Sequence, residues 1–283
     1  MKILSDPLQV QNMSDIFRKK GLKVGLVPTM GALHIAHESL IKKARLENDR
    51  VIVTVFVNPP QFGPGEDLDS YPINLATDKK ICDRNGADII FNPKNRDMYK
   101  NNHSTVVKVK DLISTMCGAK RPGHFEGVAT VVSKLFNIAK PHRAYFGQKD
   151  YQQLKVIQRM VRDLNFDVDV IMCPIVREDD GLAVSSRNRY LDANQRRQAP
   201  HLYKALTGAK KMVLNGVDIK NIRNRLKKYI ENNIPSGIID YANLYDARTL
   251  KVAYGLDEDL VAAAAVWLGK ARLIDNVYIK VKK

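Results

Sequence analysis

The first half of the chain alternates short apolar runs with amphipathic stretches. Apolar and β-branched runs that stop at proline, glycine or asparagine predict strands over residues 23–27, 50–57, 88–91, 144–146 and 166–173. Apolar residues that recur every three or four positions predict helices over residues 37–48, 125–139 and 150–164. Because strands that alternate with helices pair in parallel through right-handed crossovers, the pattern predicts an α/β fold with a Rossmann-like, doubly wound parallel sheet.

The pattern changes near residue 175. Helical periodicity over residues 194–213 and 218–232 is followed by three further apolar runs, over residues 241–245, 260–268 and 272–277. These runs predict a second, small sheet. We therefore expect two domains: a Rossmann-like domain over residues 1–176 and a smaller α+β domain over residues 177–283.

Ligands of doubly wound sheets bind at the carboxyl ends of the strands, so the loops after residues 27, 57 and 146 are the first candidates for a site. The first loop holds Met30 and Gly31 and enters a helix through His34 and His37. Unpaired N–H groups and the positive end of the helix dipole lie there, so both histidines can face a phosphate chain. Solvated or structural histidines also fit this spacing. Zinc is disfavoured because histidines that bind it on one helix stand four apart and need a third ligand.

The other two loops carry amides and charges. The amide of Gln61 both donates and accepts, which suits a ligand with carboxylate and hydroxyl groups. The later loop enters its helix through Gly147, Gln148, Lys149, Asp150 and Gln153. Gly147 allows a close approach to the backbone and Lys149 can neutralise a phosphate. Asp150 is either a helix cap or a ligand of ribose hydroxyls.

A fourth segment lies just beyond the expected boundary and combines Ser185, Ser186 and Arg187. Two hydroxyls and a guanidinium are typical of a phosphate site, although this tripeptide is also common on protein surfaces. A mobile second domain would close the segment over a nucleotide. The sequence has no Walker loop and no GxGxxG after the first strand, which disfavours an NAD-type dehydrogenase.

Composition and charge exclude several other classes. Hydrophobic residues make up 45% and charged residues 27%, as in globular proteins, and no run approaches the roughly 18 apolar residues of a membrane span. The net charge of +16 is divided evenly, +8 over residues 1–176 and +8 over residues 177–283, which favours a generally basic surface over a nucleic-acid groove. Three distant cysteines and the lack of a secretory signal predict a reducing, cytoplasmic location.

Several blocks between residues 27 and 191 resemble the pantoate–β-alanine ligase (pantothenate synthetase) family. They read VPTMGALH..H, FVNP.QF, YP, RPGHFEGV.TVVSKLFN, FG.KDYQQL and DGLA.SSRN.YL. The resemblance implies a nucleotidylyltransferase of the HIGH type, related to the class I aminoacyl-tRNA synthetase core. It implies that ATP and pantoate form pantoyl adenylate and pyrophosphate. The amine of β-alanine then attacks the acyl carbon and releases AMP and pantothenate.

The resemblance also implies roles for the matching residues. Those that would bind ATP are Met30, Gly31, His34, His37, Gly147, Gln148, Lys149, Asp150, Val176, Val184, Ser185, Ser186 and Arg187. Those that would act in catalysis are His37, in the position of the family's general acid, His34, Lys149 and Arg187. Gln61 and Gln153 would bind pantoate, with Gln61 also near β-alanine. Residues 1–176 would bind ATP and pantoate, and residues 177–283 would form a lid.

Two departures from the family pattern affect these expectations. Ala36 stands where the family usually has glycine between the histidines, so we expect an altered affinity for ATP with activity retained. The resemblance implies Mg²⁺, but Thr77 stands where some relatives carry an acidic residue that helps hold the ion. The protein ligand of the metal is therefore open.

The resemblance implies a homodimer, to which residues 50–57 would contribute as an exposed sheet edge. The expected partners are ATP, pantoate and β-alanine, with no nucleic acid and no membrane. The alternatives are a tRNA-synthetase-like protein that acts on another acid or binds RNA, and a relative that keeps the fold without the chemistry.

Overall fold

A computed structural model describes residues 1–66 and 68–281 of the chain. These residues form two compact units. The first unit comprises Met1–Lys110, Arg121–Gly147 and Gln153–Pro174, and the second comprises Asp111–Lys120, Gln148–Gln152 and the chain from Ile175 onwards. The expected first domain was one continuous stretch up to residue 176, whereas here two short segments within that stretch group with the second unit.

A parallel sheet of six strands organises the first unit. Its strands are β1 (Lys2–Leu4), β2 (Val24–Val27), β3 (Arg50–Thr54), β4 (Ile89–Phe91), β5 (Arg143–Gly147) and β6 (Asp169–Cys173). The strand order is β1-β4-β3-β2-β5-β6, and every neighbouring pair is parallel. This order steps outward in both directions from β2 and β3, so the predicted doubly wound α/β sheet is confirmed.

The expectation that residues 50–57 form an exposed edge is wrong. Strand β3 lies between β2 and β4 and pairs with both, and four of its five residues are buried. The edges of the sheet are β1 and β6. A continuous β-branched run is typical of a central parallel strand that helices cover on both faces.

Helices connect the strands and continue beyond the sheet. They are α1 (Pro7–Lys19), α2 (Ile35–Glu47), α3 (Leu75–Arg84), α4 (Asn95–Met98), α5 (Met116–Lys120), α6 (His124–Ala139), α7 (Tyr151–Asp163), α8 (Ala193–Gln198), α9 (His201–Leu214) and α10 (Ile219–Asn233). Short 3-10 turns span Pro59–Gln61, Gln148–Asp150 and Ser186–Tyr190. The single helix predicted over residues 194–213 is divided into α8 and α9 at Pro200, which lacks the N–H that a continuous helix needs.

The second unit contains the predicted small sheet. Strands β7 (Gly237–Asp246), β8 (Leu260–Leu268) and β9 (Ala271–Ile279) are antiparallel in the order β7-β8-β9. Helices α9 and α10 pack against the sheet. Alanines 262–265 of β8 are fully buried, and their small side chains let the helices and neighbouring strands approach closely.

The three cysteines are free and buried. Burial raises the pKa of the Cys82 thiol to about 12 and that of Cys173 to about 11, so neither is a thiolate at neutral pH. Within the described residues, no helix is both long enough and apolar enough to cross a bilayer.

Candidate functional site

Three adjacent strands of the first unit bring candidate residues together at the carboxyl ends of the parallel strands. Strands β3, β2 and β5 are neighbours and parallel, so their carboxyl ends lie side by side. The loop with Met30, Gly31 and His34 follows β2, Gln61 follows β3, and Gly147 ends β5. Ligands of doubly wound sheets bind at these carboxyl ends.

The loop after β2 is fastened by a pair of buried threonines. The backbone N–H of Thr29 donates to the hydroxyl of Thr54 at 3.0 Å, and that hydroxyl donates to the carbonyl of Thr29 at 3.2 Å. The hydroxyl of Thr29 in turn donates to the carbonyl of Thr54 and accepts from the N–H of Gly31. These bonds hold the start of the loop against the end of β3.

Asp78, a buried residue of α3, fixes the next part of the same loop. Its carboxylate accepts the backbone N–H groups of Ala32 and Leu33 at 3.1 and 2.8 Å. Burial raises the pKa of Asp78, while the two N–H groups oppose that rise. Gly31 has φ +91°, and a Cβ there would lie 3.0 Å from the Asp78 carboxylate, so the loop needs glycine at this point.

The two histidines meet at the start of α2. Their ring centroids lie 4.1 Å apart, and the backbone N–H of His34 donates to Nδ1 of His37 at 3.3 Å. Because Nδ1 of His37 is an acceptor, a neutral ring carries its proton on Nε2. Ala36, between them, is half-buried in the first turn of the helix.

The side chain of Gln61 is oriented by its neighbours. Its Nε2 donates to Sδ of Met30 at 2.9 Å, and Nδ2 of Asn58 donates to its Oε1 at 3.2 Å. Tyr99 in turn donates its hydroxyl to Oδ1 of Asn58 at 2.6 Å, and burial raises the pKa of Tyr99 to about 12. The structure thus joins the Gln61 and Met30 loops, as the expected site requires.

A second layer supports the backbone of Gln61. His124 donates from Nδ1 to the carbonyl of Gln61 at 2.7 Å, and Arg121 donates to Nε2 of His124 at 3.0 Å. Arg121 is also paired with Glu66 through two hydrogen bonds. At Gly127 the helix touches the turn, since a Cβ there would lie 2.4 Å from the carbonyl oxygen of Pro60. Only glycine allows this contact.

Gln153, the other expected pantoate ligand, is half-buried in the first turn of α7. It belongs to the first unit, as Gln61 does. The remaining expected ligands, from Gln148 to Asp150 and from Val176 to Arg187, belong to the second unit.

Within the second unit, Lys149 and Ser185 line one small cavity, together with Asn188, Tyr203 and Asp275. Lys149 belongs to the Gln148–Asp150 turn, whereas Ser185 caps the 3-10 turn that begins at Ser186, its Oγ accepting the N–H of Arg187 at 3.3 Å. The fold therefore brings together two of the segments that the sequence separates by more than thirty residues.

A short hairpin carries Val176 and Val184. The N–H of Val184 donates to the carbonyl of Val176 at 3.0 Å, and Arg177 bridges to Ala183 in the same antiparallel arrangement. The hairpin turns at Gly181, whose φ is +96°. Val184, Ser185, Ser186 and Arg187 follow directly, and all four are half-buried.

Several residues that shape the site in the first unit were missed by sequence reasoning: Asn58, Asp78, Arg121 and His124. Asp78 had a detectable signal, because it shares the apolar face of its helix with Ile81 and Cys82, where a lone carboxylate needs a partner. Gly127 similarly interrupts an otherwise apolar helix. The others leave no local pattern, although Asn58 contacts Gln61 and Arg121 contacts His124 only three residues away.

The donor set does not form a protein cage for Mg²⁺. Among the described residues, no three His, Cys, Asp or Glu side chains are grouped as metal ligands. The carboxylate of Asp78, beside Thr77, already accepts two backbone N–H groups. Mg²⁺ that is carried by nucleotide phosphates needs few protein ligands, because it keeps several waters.

Many α/β enzymes bind nucleotides and small acids in polar loops at the carboxyl ends of parallel strands. The fold and the site of this chain indicate that class of protein. A family model described as Pantoate-beta-alanine ligase matches residues 2–278. The chain therefore belongs to the pantoate–β-alanine ligase family, whose members are carbon–nitrogen ligases.

Named relatives agree over almost the full chain. A pantothenate synthetase of Enterococcus faecalis is 52% identical over 277 residues, which cover 98% of each chain, and one of Clostridium novyi is 50% identical over 275 residues, which cover 96% of each. The crystal structure of pantothenate synthetase from Thermus thermophilus is 40% identical, covers 100% of both chains and has a TM-score of 0.92.

A second solved structure carries ligands. It is the pantoate–β-alanine ligase of Francisella tularensis complexed with beta-gamma ATP and β-alanine, which is 34% identical, has a TM-score of 0.79 and covers 98% of this chain and 97% of its own. The family match and the structural matches include the second unit as well as the first. The predicted family and the predicted ligase activity are confirmed.

Proposed function

We propose that the chain joins pantoate to β-alanine through a pantoyl adenylate. A carboxylate oxygen of pantoate attacks the α-phosphorus of ATP, and the bond to the bridging oxygen breaks to release pyrophosphate. The amine of β-alanine then attacks the acyl carbon of the adenylate, loses a proton, and displaces AMP. No step requires a covalent bond to the protein.

The contact between the two histidines is the observation that most supports the first step. In neutral His37, Nδ1 accepts the N–H of His34, which leaves the proton on Nε2. That Nε2–H is a donor for a phosphate oxygen, where negative charge grows as pyrophosphate leaves. We propose His34 as its partner in this role, with Met30 and Gly31 of the same loop against the nucleotide.

The second unit supplies the remaining ATP contacts in this proposal. Lys149 and Arg187 would balance phosphate charge and act in catalysis. Gly147, at the end of β5 in the first unit, and Val176 in the hairpin would contact the nucleoside, and Asp150 its ribose. The other proposed contacts to the nucleotide come from Gln148, Val184, Ser185 and Ser186.

Gln61 and Gln153 would bind pantoate. An amide that both donates and accepts matches a substrate with a carboxylate and hydroxyls. The bond from Asn58 to Oε1 and the bond to Met30 hold the amide of Gln61 in one orientation. Gln61 is also the proposed neighbour of β-alanine.

The finer assignments of cofactor, assembly and location belong to the same proposal. ATP would enter as its Mg²⁺ complex, with the ion held mainly by phosphate oxygens, and Ala36 would alter the affinity for ATP. The protein would be a cytoplasmic homodimer that binds neither nucleic acid nor membrane. Since β3 is central in the sheet, the dimer would use another surface, and sedimentation as a monomer at micromolar concentration would contradict it.

The decisive test is exchange of labelled pyrophosphate into ATP with Mg²⁺ and pantoate and without β-alanine. Exchange that requires pantoate, followed by AMP release when β-alanine is added, is the expected result. Exchange with another carboxylic acid, together with salt-sensitive tRNA binding, would instead favour the tRNA-synthetase-like alternative. No exchange from folded protein with any acid would indicate a relative without the chemistry.

A further inference from the structure

Strand β9 contacts both segments of the second unit that the proposed function assigns to the nucleotide. It is an edge strand of the three-stranded sheet, and it lies about a hundred residues after those segments along the chain. Two consecutive residues make the contacts, Asp275 and Asn276, and both are buried, with exposed fractions of 4% and 3%. Neither was a candidate in the sequence.

Asn276 holds the turn that carries Lys149. Its Nδ2 donates to the carbonyl oxygens of Gln148 and Lys149, both at 2.9 Å, and its Oδ1 accepts from Nε2 of Gln148 at 3.3 Å. One amide therefore uses both of its donors and its acceptor on one turn. Because two consecutive carbonyls are fixed, the direction in which the Lys149 side chain leaves the backbone is set as well.

Asp275 holds the hairpin that precedes Ser185. Its carboxylate accepts two hydrogen bonds from the guanidinium of Arg177, at 2.6 and 2.9 Å, and one from the N–H of Asn276 at 2.7 Å. Arg177 also donates to the carbonyl of Gly181 across the hairpin, and its guanidinium stacks 3.6 Å from the ring centroid of Tyr203. A paired, planar fork of this kind fixes both position and orientation.

We propose that Asp275 and Asn276 are positioning residues for ATP, which together hold the Lys149 turn and the Val176–Val184 hairpin in the geometry that binds the nucleotide. The inference rests on the proposed function, because that function assigns the two segments to ATP. It adds that their placement depends on a single strand near the end of the chain. Lys149, Ser185 and Asp275 line the same cavity, as this arrangement requires.

The test compares Asn276→Asp with the wild-type chain in steady-state ligation and in direct ATP binding. Asp has the shape of Asn, but its ionised carboxylate has no donor for the carbonyl oxygens of Gln148 and Lys149. Because acceptors then face acceptors, the Lys149 turn should move away. We expect KM and Kd for ATP to rise about 10- to 100-fold, because a displacement of about 1 Å has effects of this size. KM for pantoate stays within about twofold of wild type, since Gln61 and Gln153 belong to the first unit.

A pH profile separates positioning from a general loss of structure. A protonated carboxyl regains one donor, so the KM ratio of Asn276→Asp to wild type should fall as the pH is lowered. Asn276→Ala, which has no charge to bury, should raise KM for ATP without this pH effect. Asp275→Asn should also raise KM for ATP, because it removes the charge that pairs with Arg177.

Ile279→Val is the matched control, since Ile279 is a fully buried core residue of the same strand. It should lower stability while leaving KM for ATP unchanged. Wild-type KM and Kd for ATP in folded Asn276→Asp and Asn276→Ala would overturn the inference. The inference would also be overturned if KM for ATP and KM for pantoate rose equally, in proportion to the stability that each variant loses. If the wild-type chain itself shows no pantoate-dependent exchange, the proposed function fails instead, and direct ATP binding still tests the strand.

Discussion

The two units fasten their candidate residues in different ways. In the first unit, the site loops follow strands of one parallel sheet and are held by neighbours in that sheet and its helices, such as Thr54, Asp78 and His124. In the second unit, the Gln148–Asp150 turn and the hairpin do not follow strands of the small sheet, and the edge strand β9 holds both. The first arrangement follows from the order of elements along the chain. The second depends on contacts between segments that are about a hundred residues apart.

The two units also differ in the substrates that their candidate residues are proposed to bind. His34, His37 and the two proposed pantoate ligands, Gln61 and Gln153, lie in the first unit, whereas most of the proposed ATP contacts lie in the second. This division predicts that variants of β9 change the use of ATP alone, whereas variants of the first unit also change turnover or the use of pantoate.

The largest effect is expected for His37→Ala. It removes the Nε2–H that would stabilise charge on the departing pyrophosphate, so kcat should fall about 100- to 1000-fold. His37→Gln should recover part of the loss, because an amide N–H is a donor of similar reach. Pyrophosphate exchange and steady-state ligation measure both variants. His201→Ala is the control, since His201 lies in α9 of the second unit beside Tyr229; an equal loss in that variant would contradict a specific role.

The next largest effect is expected for Gly127→Ala, which tests whether the Gln61 turn depends on close contact with α6. The new Cβ would lie 2.4 Å from a backbone carbonyl oxygen, so the turn must shift. We expect stability to fall by about 1–3 kcal/mol and KM for pantoate to rise more than KM for ATP.

Gly208→Ala is the matched control for that substitution. Gly208 lies inside α9, and a Cβ there has nothing within 4 Å. Alanine favours helix by up to about 1 kcal/mol, so this variant should be slightly more stable than wild type and equally active. Urea unfolding measures the stability of both variants, and substrate titrations measure their KM for pantoate and for ATP. Equal behaviour of the two would mean that the contact at Gly127 has no functional weight.

A smaller effect on activity is expected for Asp78→Asn, which weakens the hydrogen bonds that hold the histidine loop in place. Asn presents one carbonyl and one NH₂ to the N–H groups of Ala32 and Leu33, so one buried donor loses its partner. The free energy of unfolding should fall by about 1–3 kcal/mol, and kcat should fall because the histidines are less well held. Asp83→Asn in the same helix is the control, because Asp83 is exposed. The free energy of unfolding of Asp83→Asn should stay within about 0.5 kcal/mol of wild type. A drop as large as that of Asp78→Asn would contradict a specific role for the hydrogen bonds of Asp78.

The same contrast explains how far the sequence could predict the molecule. The parallel sheet, the small second sheet and the loops with His34, Gln61 and Lys149 follow from apolar periodicity and from what parallel strands require. Strand β1 was missed because three residues carry too little pattern. The edge position expected for β3 was wrong because a continuous apolar run is typical of a central parallel strand, buried on both faces, and not of an edge strand.

The fastening residues could be predicted only where they break a local pattern. Asp78 and Gly127 do so, one as a carboxylate on an apolar helix face and the other as a glycine inside an apolar helix. Asn276 does not, because a polar residue in a strand is ordinary. Its importance comes only from the distant turn that it contacts.

The smallest effect concerns the pair of Arg121 and Glu66, which supports the backbone of Gln61 in the first unit. Burial, the largest single influence, raises the pKa of Glu66, but the hydrogen bonds and the charge of Arg121, with smaller contributions from its other neighbours, together outweigh burial and hold the pKa below its usual value of 4.5. A carboxyl with a lowered pKa in the folded state adds stability above its unfolded pKa and loses it as the pH falls through the folded pKa.

The difference in unfolding free energy between wild type and Glu66→Gln should therefore be about 1 kcal/mol at pH 7 and should shrink below pH 4.5. Urea unfolding between pH 3.5 and 7 measures it. Glu126→Gln is the control, because it removes the more exposed pair of Glu126 with Lys108, whose side chain is 58% exposed. If the Glu66 difference were flat with pH, the pair would not support the Gln61 turn through its charge. The first unit would then hold that turn by packing at Gly127 and by the hydrogen bonds of Asn58 and His124, whereas the second unit holds its hairpin through the ion pair of Asp275 with Arg177.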